Sequence, residues 1–135
     1  MKLPKWRWID KQLLLIFHDE SLVLQGGASG MRDEVLLDSA LDRAKNMALY
    51  GTPDFADLAL AYVFGLAGNQ PFIDGNKRVA FLALGLFLGI NGYELSASPV
   101  DVALIMMAVA AGEIKKSDFA DWLRSNTVYR TEWNC

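Results

Sequence analysis

The sequence predicts an all-α protein, a bundle of about six helices around a buried central helix. Three observations predict it. Apolar residues recur at three- and four-residue spacing, no stretch sustains the two-residue alternation of a half-buried strand, and cap-and-stop residues bracket the apolar runs. At 135 residues, 53% of them hydrophobic, the chain has the size and material of one domain with one core, expected to span residues 1–135.

The first helix is expected from Asp10, a capping carboxylate, to about Leu24, with Leu14, His18 and Leu22 on one stripe. The run Gln25-Gly26-Gly27-Ala28-Ser29-Gly30 ends it; no Gly-Lys-Ser/Thr follows and no strand precedes, so it reads as an ordinary connection. The second helix runs from about Asp33 to Leu49, with Val35, Leu36, Ala40, Leu41, Ala44 and Met47 on its inner face and Gly51 as its stop. Thr52-Pro53-Asp54 supplies a capping hydroxyl, a proline at the first helical position and an acid in the first turn of a third helix reaching about Gly68.

After a polar loop, the fourth helix is expected from Asn76 to Ile90, stopped by Asn91-Gly92. Small residues such as Ala83, Gly85 and Gly89 would let neighbours approach closely. Tyr93-Glu94-Leu95 reads as briefly extended. Ser98-Pro99 opens a fifth helix, apolar from Val102 to Ala111 and closed by Gly112, which predicts a second buried element. Ser117 with Asp118 caps a short sixth helix whose inward face is Phe119, Trp122 and Leu123; from Asn126 onward no period remains.

Composition excludes several function classes. A net charge of -3 supplies no broad cationic field, so nucleic-acid partners are disfavoured and any positive patch must be local. The single cysteine, Cys135, forms no intramolecular disulfide, and the first residues read as no signal peptide, so the expected location is cytoplasmic. Val79 to Ile90 carries no charge, but at about 1.5 Å per residue it spans roughly 18 Å, short of a bilayer core of about 30 Å. A helix buried on all sides accounts for it better, and no membrane partner is expected. With one histidine, His18, and one cysteine, a common zinc site and a Cys-His pair are both ruled out.

Chemistry concentrates at Gln70-Pro71-Phe72-Ile73-Asp74-Gly75-Asn76-Lys77-Arg78, between the two most apolar segments. Lys77 and Arg78 sit in a helix's first turn, where the dipole and the unpaired amides favour an anion, and a bound phosphate resolves that conflict. Gly75 permits a close backbone approach, Arg78 can grip phosphate oxygens in two places, and Lys77 adds a compact charge. Asp74 is suited to magnesium, which typically takes one or two carboxylates plus substrate phosphates. Together they describe a site for a nucleotide triphosphate. Taken singly, Asp74 could cap the helix, Asn76 shape the turn, and Lys77 and Arg78 lie in solvent; their concentration against the dipole favours function.

The loop resembles the signature of the Fic superfamily, His-Pro-Phe-x-Asp/Glu-Gly-Asn-Gly/Lys-Arg, and more closely its death-on-curing (Doc) branch. Pro71, Phe72, Asp74, Gly75, Asn76, Lys77 and Arg78 match, and lysine at 77 with Phe81 at the place of a second arginine favours that branch. Gly26-Gly27, Gly30-Met31-Arg32-Asp33 and Leu36-Leu37-Asp38-Ser39-Ala40-Leu41 are similar to the family's glycine turn and second helix.

The resemblance implies a Fic fold, ATP and magnesium at the loop, and a toxin that transfers phosphate to a threonine of elongation factor Tu and halts translation. It also implies an antitoxin whose helical tail covers a groove near the site, Asp74 serving the metal, and Asn76, Lys77 and Arg78 holding phosphates. Tyr50 to Phe55 would correspond to a flap that lays the target beside the motif. AMP transfer is the alternative chemistry in the superfamily.

Gln70 departs from the pattern, because the family's histidine acts there as general base. A neutral amide has no accessible basic pKa, and losing a positioned base typically slows a reaction by about a hundredfold to ten-thousandfold. Three explanations stand: a deliberate replacement that silences a toxic enzyme, a natural binding protein without turnover, or a slow reaction in which another group takes the proton. His18, on the apolar stripe of the first helix, reads as a packed, hydrogen-bonded structural residue. Trp6, Trp8, Trp122 and Trp133 read as core or docking surface.

Overall fold

The computed structural model describes residues 5–130; Trp133 and Cys135 lie outside them. Six helices follow one another, α1 (Lys11–Gln25), α2 (Glu34–Tyr50), α3 (Phe55–Asn69), α4 (Asn76–Ile90), α5 (Pro99–Ala110) and α6 (Lys116–Ser125). Strands β1 (Tyr93–Leu95) and β2 (Thr127–Tyr129) pair antiparallel, Tyr93 opposite Tyr129 and Leu95 opposite Thr127. The fold is all-α with this small ribbon added. Residues 126–130 therefore do acquire order, from pairing with β1 rather than from any period of their own, and an Arg130–Glu94 ion pair fastens the ribbon.

The centre is α3 against α4, with α2 and α6 laid on α3 and α1 on α4. α3 buries Leu58, Tyr62, Val63 and Leu66, and α4 buries Val79, Leu84, Phe87 and Leu88, so both helices need apolar neighbours over most of their girth. α4 is not enclosed on every side: Lys77, Phe81, Gly85 and Gly89, four residues apart, form an exposed stripe. Gly85 and Gly89 accordingly serve no close packing, since a Cβ at either would meet nothing within 4 Å. The close approach is at Gly65, where a Cβ would stand 3.4 Å from Ala40 and brings α3 onto α2.

The second central helix is α3, and α5 is peripheral. It buries only Val102 and Val109 and leaves Val100, Leu104 and Met107 exposed, because no element among the described residues covers its outer face. On α2 the buried residues are Leu37, Ala40, Leu41 and Ala44, while Val35 and Met47 face outward and Leu36 is half-buried. The inner stripe is thus rotated toward Leu37. Near the amino end, Trp6 and Trp8 stack on Phe87, and the Asn91 amide exchanges two hydrogen bonds with the Arg7 backbone, so Asn91 anchors this segment as well as ending α4.

Two caps differ from expectation. α3 is capped by Asp54, not Thr52: Asp54 accepts from the Asp57 amide at 2.9 Å while the Asp57 side chain accepts from the Asp54 amide at 3.0 Å. Arg124 of α6 then reaches Asp54 at 2.7 Å and Asp57 at 3.0 Å. That reciprocal box satisfies two amides, which a threonine two residues earlier would not. α6 starts at Lys116 with no side-chain cap, and Ser117 lies inside it, because the Phe119 amide bonds Lys115 O and turns Phe119 and Leu123 into the core.

Burial alone would push the Asp54 carboxyl upward, but hydrogen bonds from Arg124 and the Asp57 amide, with the Arg124 charge, outweigh it and leave its pKa below the ordinary value. A carboxylate depressed in this way contributes stability above its unfolded-state pKa, lost as pH falls through its folded-state pKa. Arg124→Met is expected to lower stability at neutral pH by about 1 kcal/mol, the upper range for a half-exposed pair. The gap from the parent should narrow as pH falls through the folded-state pKa of Asp54, below the ordinary carboxylate range, as urea unfolding at neutral pH and along an acid series will read.

Candidate functional site

The site is the reversal between α3 and α4. α3 ends because Gln70 turns left-handed (φ 49°, ψ 59°) while its amide still bonds Leu66 O, and Pro71 then has no N–H to continue the helix. Phe72 enters the core at 2% exposure and stacks on His18, ring centroids 3.8 Å apart. The Asn76 side chain closes the turn, accepting from Phe72 N and donating to Phe72 O, both at 2.9 Å. Asn76 therefore shapes the turn with both of its polar atoms.

His18 is also 2% exposed and lies 2.9 Å from Asp74 O through Nε2. A carbonyl only accepts, so Nε2 carries the proton and donates it. This is the packed, hydrogen-bonded histidine the stripe predicts, with that nitrogen engaged away from the cleft. Gly75 caps α4 at φ 78°, and a Cβ there would stand 3.3 Å from His18 Nε2, so glycine serves both the backbone turn and the close approach.

The segment between α1 and α2 is more than an ordinary connection. Gly30 O accepts from Ile73 N at 3.1 Å, Arg32 N and Asp33 N both donate to Pro71 O, and Met31 pairs with Phe72 as an antiparallel bridge. Ala28 N donates to Asp74 Oδ2 at 3.3 Å, and a Cβ on Gly27 would fall 2.9 Å from the same oxygen. The chain beside the motif is thus residues 26–33. Tyr50 to Phe55 cannot be a flap over it, since they precede α3 and Gln70 follows it, about 22 Å away at 1.5 Å per residue over the 15 residues of α3.

Gln70, Asp74, Gly75, Asn76, Lys77 and Arg78 line one open cleft of about 480 Å³, with Ala67 and Ile73. The structure brings the whole predicted set together. Asp74 is its one carboxylate; Oδ1 accepts from Gly75 N at 2.8 Å, and the exposed group does not cap α4. No side chain caps that helix, so its first amides and the dipole face the cleft. Lys77 is exposed with no ion-pair partner among the described residues. Arg78 differs from expectation: its Nη1 donates to Ser21 O and Gly26 O, both at 3.0 Å, so it binds the carboxyl end of α1, where a cation is favoured.

Sequence reasoning missed Arg32. Its Nε donates to Gln70 O and its Nη2 to Asn69 O, each at 2.7 Å. A lone exposed arginine beside a helix cap carries no signal that would single it out.

A second cleft, of about 590 Å³, opens between α1, α4 and α5 and meets the first at Ala67, Lys77 and Arg78. Ala80, Phe81, Met106 and Met107 give it an apolar wall. Among the described residues, no helix is long and apolar enough to cross a membrane.

The Fic/DOC family model matches residues 8–88, which take in α1 to α3, the motif loop and α4 as far as Leu88. Over 119 residues the chain is 32% identical to Protein kinase doc of Escherichia phage P1, covering 87% of this chain and 94% of that protein. Over 75 residues it is 43% identical to Toxin Doc of Mycolicibacterium smegmatis, covering 53% of this chain and 57% of that protein.

Asn76→Ala is expected to destabilise the protein by about 2 kcal/mol, because the N–H and C=O of buried Phe72 both lose their partner. Asn76→Asp keeps the acceptor and should fall between. Amide exchange at Phe72 should speed up in the alanine variant and stay slow in the aspartate one.

Proposed function

Since the chain belongs to the Fic/DOC family, we propose that it is the toxin of a bacterial toxin-antitoxin pair. In this reading it is a single-domain, cytoplasmic, ATP-dependent kinase that phosphorylates a threonine of elongation factor Tu and blocks translation, in a form impaired at Gln70. The observation that carries the reading is the donor set of one cleft: a lone carboxylate, an unpaired lysine and an uncapped helix start.

That set fits ATP with magnesium. Asp74 would hold the metal through one carboxylate, substrate phosphates completing its shell, while the α4 amides and Lys77 hold the phosphates. Arg78 engages only Nη1 with α1, so its remaining donors are available to the same phosphates. Asn76 supports them through the turn it closes. Bound ATP would supply the transferable phosphoryl group, its charge drawn off by the metal. As the threonine oxygen attacked phosphorus and ADP left, a base at position 70 would take the hydroxyl proton; an amide cannot, so the proton would have to leave to water or to another acceptor and the transfer would be slowed.

Lys77, where many Fic enzymes that transfer AMP have glycine, supports phosphate over AMP transfer. Gln70 itself supports a second reading, a nucleotide- or antitoxin-binding module that never turns over. The apolar cleft suits the antitoxin in either case: a helix laid against Phe81 and Met107 would bury side chains that are otherwise wet, and it would end beside Lys77.

Gln70→His is expected to raise ATP-dependent transfer to elongation factor Tu by about a hundredfold or more. Mass spectrometry should find phosphate on a threonine, and Asp74→Ala or Lys77→Ala should abolish it. A variant that binds nucleotide by calorimetry yet leaves no modification would exclude the kinase and favour the binding module; transferred AMP would correct the chemistry.

Met107→Glu, a change on an exposed residue, is expected to weaken binding of the cognate antitoxin by about tenfold or more. Unchanged affinity by calorimetry would place the antitoxin elsewhere.

A further inference from the structure

Residue 70 is held in a conformation its side chain does not favour. Gln70 is the one non-glycine residue with positive φ among the described residues, and a left-handed glutamine persists only where its surroundings determine it. The determinants include two successive residues of the segment before α2. Arg32 Nε bonds Gln70 O and Nη2 bonds Asn69 O, both at 2.7 Å, while the Arg32 and Asp33 amides bond Pro71 O at 2.7 and 2.9 Å. Both peptide groups that flank residue 70 are therefore gripped by one planar fork.

Arg32 does not line the phosphate cleft, so whatever it does there it does through residue 70. We infer that Arg32 is a positioning residue. Its guanidinium fixes the two peptide planes around position 70, and with them the Cα–Cβ direction that aims this side chain into the cleft with Asp74 and Lys77. A lysine would carry the same charge without two donors in a fixed plane. The inference rests on the reading in which residue 70 is where the hydroxyl proton is taken. A residue that merely caps the carboxyl end of α3 would alter stability and leave the conformation of residue 70 alone.

The test has two arms. In the Gln70 chain, carbon chemical shifts and the amide-to-Hα coupling of residue 70 are read by NMR for Arg32→Ala and Arg32→Lys. Residue 70 is expected to leave the left-handed region in the first and not to recover in the second. A left-handed signature that persists in folded Arg32→Ala overturns the inference, and so does full recovery with lysine. In a Gln70→His background, Arg32→Ala is expected to lower kcat about ten- to a hundredfold with KM for ATP within about twofold, the pattern of a misaimed group. Unchanged kcat, or KM rising in step, overturns it. If Gln70→His transfers nothing, the NMR arm decides the positioning role and the failure belongs to the functional reading. If Arg32→Ala does not fold, Arg32→Gln, which retains one pair of amide donors, carries the same readouts.

Discussion

The structure depends on how the chain reverses between its two most buried helices. Only six residues, 70–75, separate the end of α3 from the start of α4, and two of them, Pro71 and Phe72, are themselves buried. A short reversal whose middle is buried leaves backbone groups, those of Phe72 above all, with little access to water, and these need partners from the protein. Asn76 supplies both partners of Phe72, His18 supplies that of Asp74 O, and residues 30–33 supply those of Asn69, Gln70, Pro71 and Ile73. The exposed groups of the cleft inherit their rigidity from this buried scaffold.

The two cations at the head of α4 illustrate how local and tertiary electrostatics diverge. Judged along one helix, Lys77 and Arg78 oppose the dipole. In the fold, Arg78 crosses to Ser21 O and Gly26 O at the carboxyl end of α1, where the dipole has the other sign. Half of the apparent conflict is thereby resolved without any ligand, and Lys77 carries the remainder. What favours an anion here is Lys77 together with a helix start that no side chain caps.

α5 shows a second divergence. Its composition matches that of a core helix, yet it lies at the edge with Leu104 and Met107 about three-fifths or more exposed, at 59% and 67%. An apolar surface of this kind beside a cleft is what the proposed antitoxin helix would cover. Hydropathy reports what a helix can bury, and the partner that buries it need not belong to the same chain.

How much was legible in the sequence follows from the range of each interaction. Helices α1 to α5 were readable almost to the residue, because propensity, capping and apolar spacing act within a few positions; so was the cluster from Asp74 to Arg78, whose residues are neighbours in the chain. The absence of a base at Gln70 needs no structure at all, since an amide has no basic pKa wherever it sits. Tertiary structure alone decided that α3 rather than α5 is central, that residues 26–33 rather than 50–55 flank the motif, and that Thr127–Tyr129 forms a strand. It alone gave Arg78 to α1 and Arg32 to the peptide groups around Gln70. These outcomes depend on which surfaces meet across 32 to 52 residues of chain, as in the pairs Leu95–Thr127 and Arg78–Gly26, and no local pattern encodes a contact at that range.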